Sequence, residues 1–270
     1  MVCIEFTIAN SGSYIPPELR EDAGELEAAR TGHLPQLVVA DDLVGEMHCH
    51  STWSSDGKAT IEEMARGAMA RGYQYLCLTD HSHYLRDGRI ESQWLEIEEV
   101  NARLGTFRVL RGIEANITAK GEVDVADEVL AQLDWVVASL HTSLDRSPTE
   151  RVLAAIENPH VDCIGHLTGR RLSRRPGAEV DLEAIVDRAV ATATAIEINS
   201  QPDRLDMRDV HARLAGAAGV SIPVNTDAHS VAALSYAELG IGQARRAWLT
   251  RDQVLNTRPW AAIANRERGT

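Results

Sequence analysis

Seven short apolar runs, nearly all closing on a histidine, aspartate or glutamate, constrain this chain more than any other feature. They are VGEMHCH (44–50), YLCLTD (75–80), FRVLRGIE (107–114), DWVVASLH (134–141), VDCIGH (161–166), AIEIN (195–199) and IPVNTDAH (222–229). Runs of this length rich in Val, Ile and Leu read as buried strands. Most of the segments between them have a helical period. Thr60 with Glu63, Ser147 with Glu150 and Thr250 with Gln253 have capping-box spacing, Pro148 suits a first helical position, and Asn158-Pro159 stops a helix. Strands alternating with helices predict an α/β protein with a parallel sheet, as a closed barrel or an open doubly wound sheet. No GxGxxG or GxxxxGK[ST] follows the first run, so a nucleotide-binding sheet is not supported.

Residues 1–43 differ in character. YIPPELREDAGELEAARTGHLPQLVVADD is polar and mostly helical in pattern, and reads as a lead-in segment packed on a main domain spanning 44–270. A chain of 270 residues is long enough to bury a substantial core. It contains no run of about eighteen apolar residues, so no transmembrane helix is expected. The N-terminal stretch lacks the basic start and apolar region of a secretion signal, which predicts a cytoplasmic protein. Cys3, Cys49, Cys77 and Cys163 lie far apart with no CxxC pair, and are expected to be reduced thiols.

The net charge of −13 argues against a protein that coats nucleic acid, since phosphate contacts need clustered Lys and Arg. GRRLSRRPG, with Arg170, Arg171, Arg174 and Arg175, is the local exception.

The polar residues at the strand ends carry the chemistry. His48 and His50 are two apart, so a strand points both to one face and Cys49 to the other. His81, Glu114, His141, His166, Asp227 and His229 fall at the tips of later runs. Six of the ten histidines therefore sit at strand C-termini, which share one rim in an α/β barrel. Imidazoles with carboxylates and no thiolate suit Zn²⁺, Mn²⁺ or Fe²⁺. The donors outnumber the needs of one tetrahedral ion, which predicts a cluster of two or three divalent metals. His33, His160 and His211 lie outside the pattern and read as surface residues.

At these residues the sequence resembles the PHP (polymerase and histidinol phosphatase) family, above all the C-terminal PHP domain of bacterial family-X DNA polymerases. GEMHCHSTWSSDG, LTDHS, GIEANI, SLHTSL, IGHLTGR, EINSQPDRLD and NTDAHS look like its successive motifs. YIPPELRED and the stretch GIGQARRAWLTRDQVLNT resemble the linker before that domain and its C-terminal part, so the likeness covers roughly residues 14 to 260. The resemblance implies a distorted seven-stranded (β/α)7 TIM-like barrel with a trinuclear metal centre. It assigns His48, His50, Glu114 and Asp227 to one metal, Asp56, His81 and His229 to a second, and Glu114, His141 and His166 to a third. Two departures stand out: Asn116 replaces a frequent aspartate, and LTGRR follows His166 where many relatives have proline.

The expected activity is that of a metal-dependent phosphoesterase, in which a metal-bound hydroxide attacks phosphorus in line. Arg170 and Arg171, just after His166, and Arg204 are candidates to grip phosphate, and His83 is a candidate general acid. Glu197 and Asn199 share one face and are expected to orient ligands. The expected substrate is a small phosphomonoester, such as a nucleotide or histidinol phosphate, or the 3′ ends of nucleic acid. Extended nucleic-acid binding by so acidic a chain is not expected without a partner domain. The alternative is a non-catalytic, metal-stabilised scaffold associated with a polymerase.

Overall fold

The computed structural model describes residues 13–264, so Cys3 and the stretch around it lie outside the described residues. The strands are β1 (Gly45–Cys49), β2 (Tyr75–Leu78), β3 (Arg108–Asn116), β4 (Trp135–Ser139), β5 (Cys163–Gly165), β6 (Ala195–Ile196), β7 (Ile198–Asn199) and β8 (Val224–Asn225). The helices are α1 (Glu25–Thr31), α2 (Ile61–Ala70), α3 (Arg89–Arg103), α4 (Asp127–Leu130), α5 (Pro148–Ile156), α6 (Leu182–Thr192), α7 (Asp209–Ala218), α8 (Ala237–Arg246) and α9 (Trp260–Ala264).

β1 to β6 form one parallel sheet in chain order, and β7 with β8 form a separate parallel pair. This alternating α/β pattern is the one the apolar runs predict. The sixth run is divided: β6 pairs with β5, while β7 pairs with β8. The break falls at Glu197, whose side chain collects four hydrogen bonds from three other segments and its own. Beyond β8 the chain returns to β1, where Cys49 bridges Ala228 and the His50 N–H donates to the Ala228 carbonyl at 2.8 Å.

The inward faces of the strands explain why a polar site sits above an apolar floor. Met47, Tyr75, Cys77, Leu110, Trp135, Val137, Cys163 and Ala195 form one buried cluster, closed from below by Leu255 and Ile263. In a strand this face recurs every second residue. On β3 it continues from Leu110 through Gly112 to Glu114 and Asn116; from β4 it continues through Ser139 to His141. The other face packs under the helices as the main core.

α2 shows how local chemistry sets an element. Thr60 Oγ1 accepts from the Glu63 N–H at 3.2 Å and the Glu63 carboxylate accepts from the Thr60 N–H at 2.8 Å. Such a cap contributes about 1 kcal/mol. Ile61, Met64, Ala65 and Ala68 then bury one face. Thr250 and Gln253 make the same box on a single 3-10 turn. At Ser147 the expected cap is not made, because its backbone is left-handed (φ 42°) and the hydroxyl does not reach the helix; Pro148 nonetheless opens α5.

Arg151 on α5, 3 % exposed, donates to the carbonyls of Thr118, Ile117 and Ser143 at 2.8 Å each. Burial lowers its pKa. It clamps the segments after β3 and β4 together. The lead-in is held on α7 and α8: Ile15, Leu19, Ala29 and Leu37 cluster with Trp248, and Glu18 and Glu21 pair with Arg245 and Arg246. Cys49, Cys77 and Cys163 are buried thiols. His33 is exposed, but His160, in the turn after α5, and His211, in the first turn of α7, are half-buried rather than on the surface. No helix among the described residues is long and apolar enough to cross a membrane.

Candidate metal centre

Glu114, at the inward end of β3, is the centre of the site and 1 % exposed. Its Oε1 lies 3.0 Å from His166 Nε2 and 3.2 Å from His141 Nε2. Its Oε2 lies 3.6 Å from Nε2 of both His48 and His50, and 2.7 Å from His81 Nδ1. One carboxylate thus faces five imidazoles. Asp227 closes one side, with Oδ1 3.1 Å from His50 Nε2 and 3.8 Å from His48 Nε2. Asp56 lies on the other, 3.5 Å from His81 Nε2 and 3.3 Å from His229 Nε2. The structure therefore brings together all nine side chains singled out as ligand candidates.

Backbone conformation aims two of them. His166 (φ 24°) and Asp227 (φ 50°) both adopt the left-handed region, which is uncommon outside glycine and asparagine or aspartate. Such strain, about 1–3 kcal/mol, collects at functional sites. Gly165, just before His166, has no room for a side chain, since a Cβ would meet the Ser139 hydroxyl and Val137. Gly57 is held equally close, against the Ser51 carbonyl, in the turn that presents Asp56.

A second ring of contacts orients these groups. His48 Nδ1 donates to Glu197 at 2.9 Å, and Glu197 also accepts from the His166 N–H, Asn199 and Asn225. The pattern identifies Glu197 and Asn199 from sequence; it does not reveal three other supports, Glu46, Asp80 and Asp124. Glu46 accepts from the His48 N–H and from both donors of Thr226, binding β1 to the segment that carries Asp227. Burial pushes its pKa up to about 7 against the pull of these hydrogen bonds. Asp80 accepts from the backbone and hydroxyls of Ser51 and Ser54 and from Gln93, shaping the loop that holds Asp56. Asp124 supports Asn116, and Asn116 Oδ1 accepts from His141 Nδ1 at 2.6 Å.

Burial opposes charge throughout the site; neighbouring charges override it at Glu114, Asp227, His48 and His81 but not at His50. Glu114 stays well below the usual carboxylate range, held down by His141 and His48, and Asp227 likewise, held down by His48 and His50. His48 is raised well above its ordinary value by Glu197, Glu114 and Asp227; Asp56 and Glu114 bring His81 to about 10. Burial depresses His50 to about 3, with His81 and His229 adding to the effect.

The donor set fits divalent ions. His48 Nε2 is buried with no hydrogen-bond partner among the described residues and faces Glu114 Oε2 at 3.6 Å. Unpartnered buried groups of this kind are costly, and a cation between them removes the cost. Ligand atoms lie within 4.8 Å of one another in three groups: His48 with His50 and Glu114, His50 with His81 and His229, and His81 with Glu114 and His141.

A cavity of about 530 Å³ lies over this centre. Arg171 and Arg204 both line it. Arg204 is 8 % exposed, its Nε 3.7 Å from Asp227 Oδ2, so it faces the site and not Asp203 or Asp206. Arg171 is half-buried and 3.4 Å from Asp203. Arg170 does not line the cavity. Its guanidinium donates to the carbonyls of Arg204 and Leu205, which ties it to the neighbouring loop. His83 is exposed, with its ring 5.4 Å from that of His81, and its pKa is lowered by partial burial and by His81. Lys58, Gln201 and Tyr236 also line the cavity. Sequence pattern does not find them, because a loop side chain's direction is set only by the folded chain.

A parallel sheet whose C-terminal edge gathers six imidazoles around shared carboxylates defines an α/β protein with a centre suited to divalent metals. The chain belongs to the PHP family: the profile of the PHP domain matches residues 46–201. It is 40% identical over 253 residues to the DNA polymerase/3′-5′ exonuclease PolX of Bacillus subtilis, covering 90% of this chain but only 44% of that protein. It is 33% identical over 198 residues to a probable phosphatase of Caldicellulosiruptor saccharolyticus, covering 68% of this chain and 79% of that one. The fold is similar to that of a histidinol phosphate phosphatase from Lactococcus lactis, solved with zinc, L-histidinol and phosphate. The TM-score is 0.55 at 19% identity, over 74% of this chain and 93% of the other.

Proposed function

We propose that this protein is a metal-dependent phosphoesterase that hydrolyses a phosphate ester at a centre of two or three divalent ions. The observation that carries the reading is the position of Glu114, whose two oxygens face five imidazoles within 3.6 Å. A cluster of cations would give that many imidazole nitrogens and one carboxylate a common purpose. The probable phosphatase and the zinc-bearing phosphatase named above support it, as do the remaining donors, Asp56, Asp227 and His229. Counting β6 and β7 as one divided strand, we take β7 and β8 to complete a distorted seven-stranded barrel with the six-stranded sheet.

His48, His50, Glu114 and Asp227 would hold one ion, Asp56, His81 and His229 another, and Glu114, His141 and His166 a third. Bound there, such ions lower the pKa of water and neutralise charge on a phosphoryl group. The chain's own residues do the rest. Arg204, pinned beside Asp227 and nearly buried, presents a guanidinium to phosphoryl oxygens from one wall; Arg171 presents a second from the mouth. Arg170 fixes the backbone at Arg204 and acts on phosphate through it. His83, beside His81 at the surface, is the candidate to protonate a leaving alcohol, a role its lowered pKa opposes near neutral pH.

A neighbouring cavity of about 610 Å³, lined by His141, Leu144, Pro148, Arg175 and Ala178 among others, leaves room for a sizeable leaving group. This favours a small phosphomonoester over an extended polyanion, which the charge of −13 would repel. The test is a panel of nucleoside monophosphates, histidinol phosphate, nitrophenyl phosphates and 3′-recessed DNA, assayed with protein of measured Mn²⁺ or Zn²⁺ content. Hydrolysis of at least one ester is expected. Loss of all hydrolysis in protein that carries its metal would overturn the enzyme reading in favour of a scaffold.

A further inference from the structure

Two imidazoles of the centre, His48 and His141, are backed by groups of different charge. Behind His48 stands the Glu197 carboxylate, 2.9 Å from Nδ1, with both side chains fully buried. Behind His141 stands an amide: Asn116 Oδ1 accepts from Nδ1 at 2.6 Å. The amide cannot rotate. Its Nδ2 donates to Asp124 Oδ2 at 2.8 Å and to Ser82 Oγ at 3.0 Å, and the Asn116 N–H donates to Asp124 Oδ1 at 2.8 Å. Ser82 Oγ donates in turn to Asp124 at 2.8 Å. Asp124 reaches this place because the tail of β3 folds back on itself, with Ile117 bridging Val123. The negative charge behind His141 is thus one amide further away than the charge behind His48. His141 is also more open, its side chain 25 % exposed against 0 % for His48.

A carboxylate behind a ligating imidazole raises its basicity and typically strengthens metal binding 10–100-fold. We propose that Asn116 is a positioning residue which fixes the tautomer of His141 but withholds full charge from it. The metal position shared by His141 and Glu114 is then held more weakly than the position on His48 and His50, and exchanges first of the two. This inference rests on the reading that the centre binds more than one divalent ion.

The arrangement makes an unusual demand on its test. Asn116→Asp alone would set a second carboxylate against Asp124, whereas Asn116→Asp with Asp124→Asn moves the charge one step inward and keeps every donor matched to an acceptor. Zn²⁺-loaded protein is dialysed against graded chelator, and bound metal is counted alongside unfolding temperature. The unmodified protein is expected to release its metal in two separated steps. His141→Ala should lack the first step only. The paired swap should move the first step to roughly tenfold higher chelator, and Asn116→Asp alone should not. A single release step in the unmodified protein, or no shift in a paired variant that unfolds at the usual temperature, overturns the proposal. Protein that never holds more than one ion would instead overturn the multinuclear reading on which it stands.

Discussion

The Glu197 carboxylate accepts a hydrogen bond from Nδ1 of His48 at 2.9 Å while its other oxygen accepts from the His166 backbone N–H at 2.7 Å. One buried side chain thereby orients two ligand candidates that lie 118 positions apart in the chain. The same residue stands at the break between β6 and β7, where the sixth apolar run passes from one sheet to the other.

Glu197→Gln keeps the shape and loses the charge. Metal affinity is expected to fall 10–100-fold, as for other groups standing behind a ligating histidine, with little change in far-ultraviolet circular dichroism. Glu197→Ala should in addition lower stability by about 1–3 kcal/mol for each buried donor left without an acceptor, read from denaturant unfolding. Unchanged metal affinity in the glutamine variant would sink the orienting role.

Asp227→Asn should remove bound metal and phosphoesterase activity together, measured by elemental analysis and by hydrolysis of a nitrophenyl ester. His48→Ala should do the same, but at a further cost in stability of about 3–5 kcal/mol, since Glu197 is left buried without its partner. Full activity in Asp227→Asn would exclude Asp227 as a ligand.

The two arginines should separate cleanly. Arg204→Ala is expected to reduce kcat/KM by about 10²–10³, the usual effect of deleting a group that meets developing charge, with metal content unchanged. Arg170→Ala should cost about 1 kcal/mol of stability and change kcat/KM far less. Equal kinetic losses in both would mean that Arg170 touches substrate after all.

The lead-in should loosen in acid. The hydrogen bond from Arg245 holds Glu18 below its ordinary pKa. Burial works against ionisation of Glu25, but the backbone N–H groups at Glu25, Ala23 and Asp22 outweigh it and lower its pKa too. A depressed pKa in the folded state means that the unfolded state binds more protons. The contribution is complete above the unfolded value of about 4.3 and is lost as pH falls through the folded values. Hydrogen exchange of metal-free protein should show protection at residues 15–31 holding steady down to about pH 4.5 and dropping from there toward about pH 3 before the strands open. Protection that is flat over this range would contradict it.

Amino-acid order alone determined the alternation of strands and helices, because burial of a parallel sheet demands short apolar runs with helical segments between them. It also marked His48, His50, Glu114, His141 and Asp227, because few residue types bind metal and the ends of inward-facing strands bring them to one edge. Local caps were legible where the hydroxyl and its target lie on one turn, as at Thr60, and misleading at Ser147, where neighbouring loops impose a left-handed backbone. The supports were not legible. Glu46 meets Thr226 across 180 positions, and Arg151 meets carbonyls 33 and 34 positions away. Whether Arg170 or Arg204 faces the cavity was undecided by pattern, since both are loop arginines near a strand end. Tertiary structure decided that point, because the carbonyls that claim Arg170 and the carboxylate that faces Arg204 come together only when the loops after β5 and β7 close on each other.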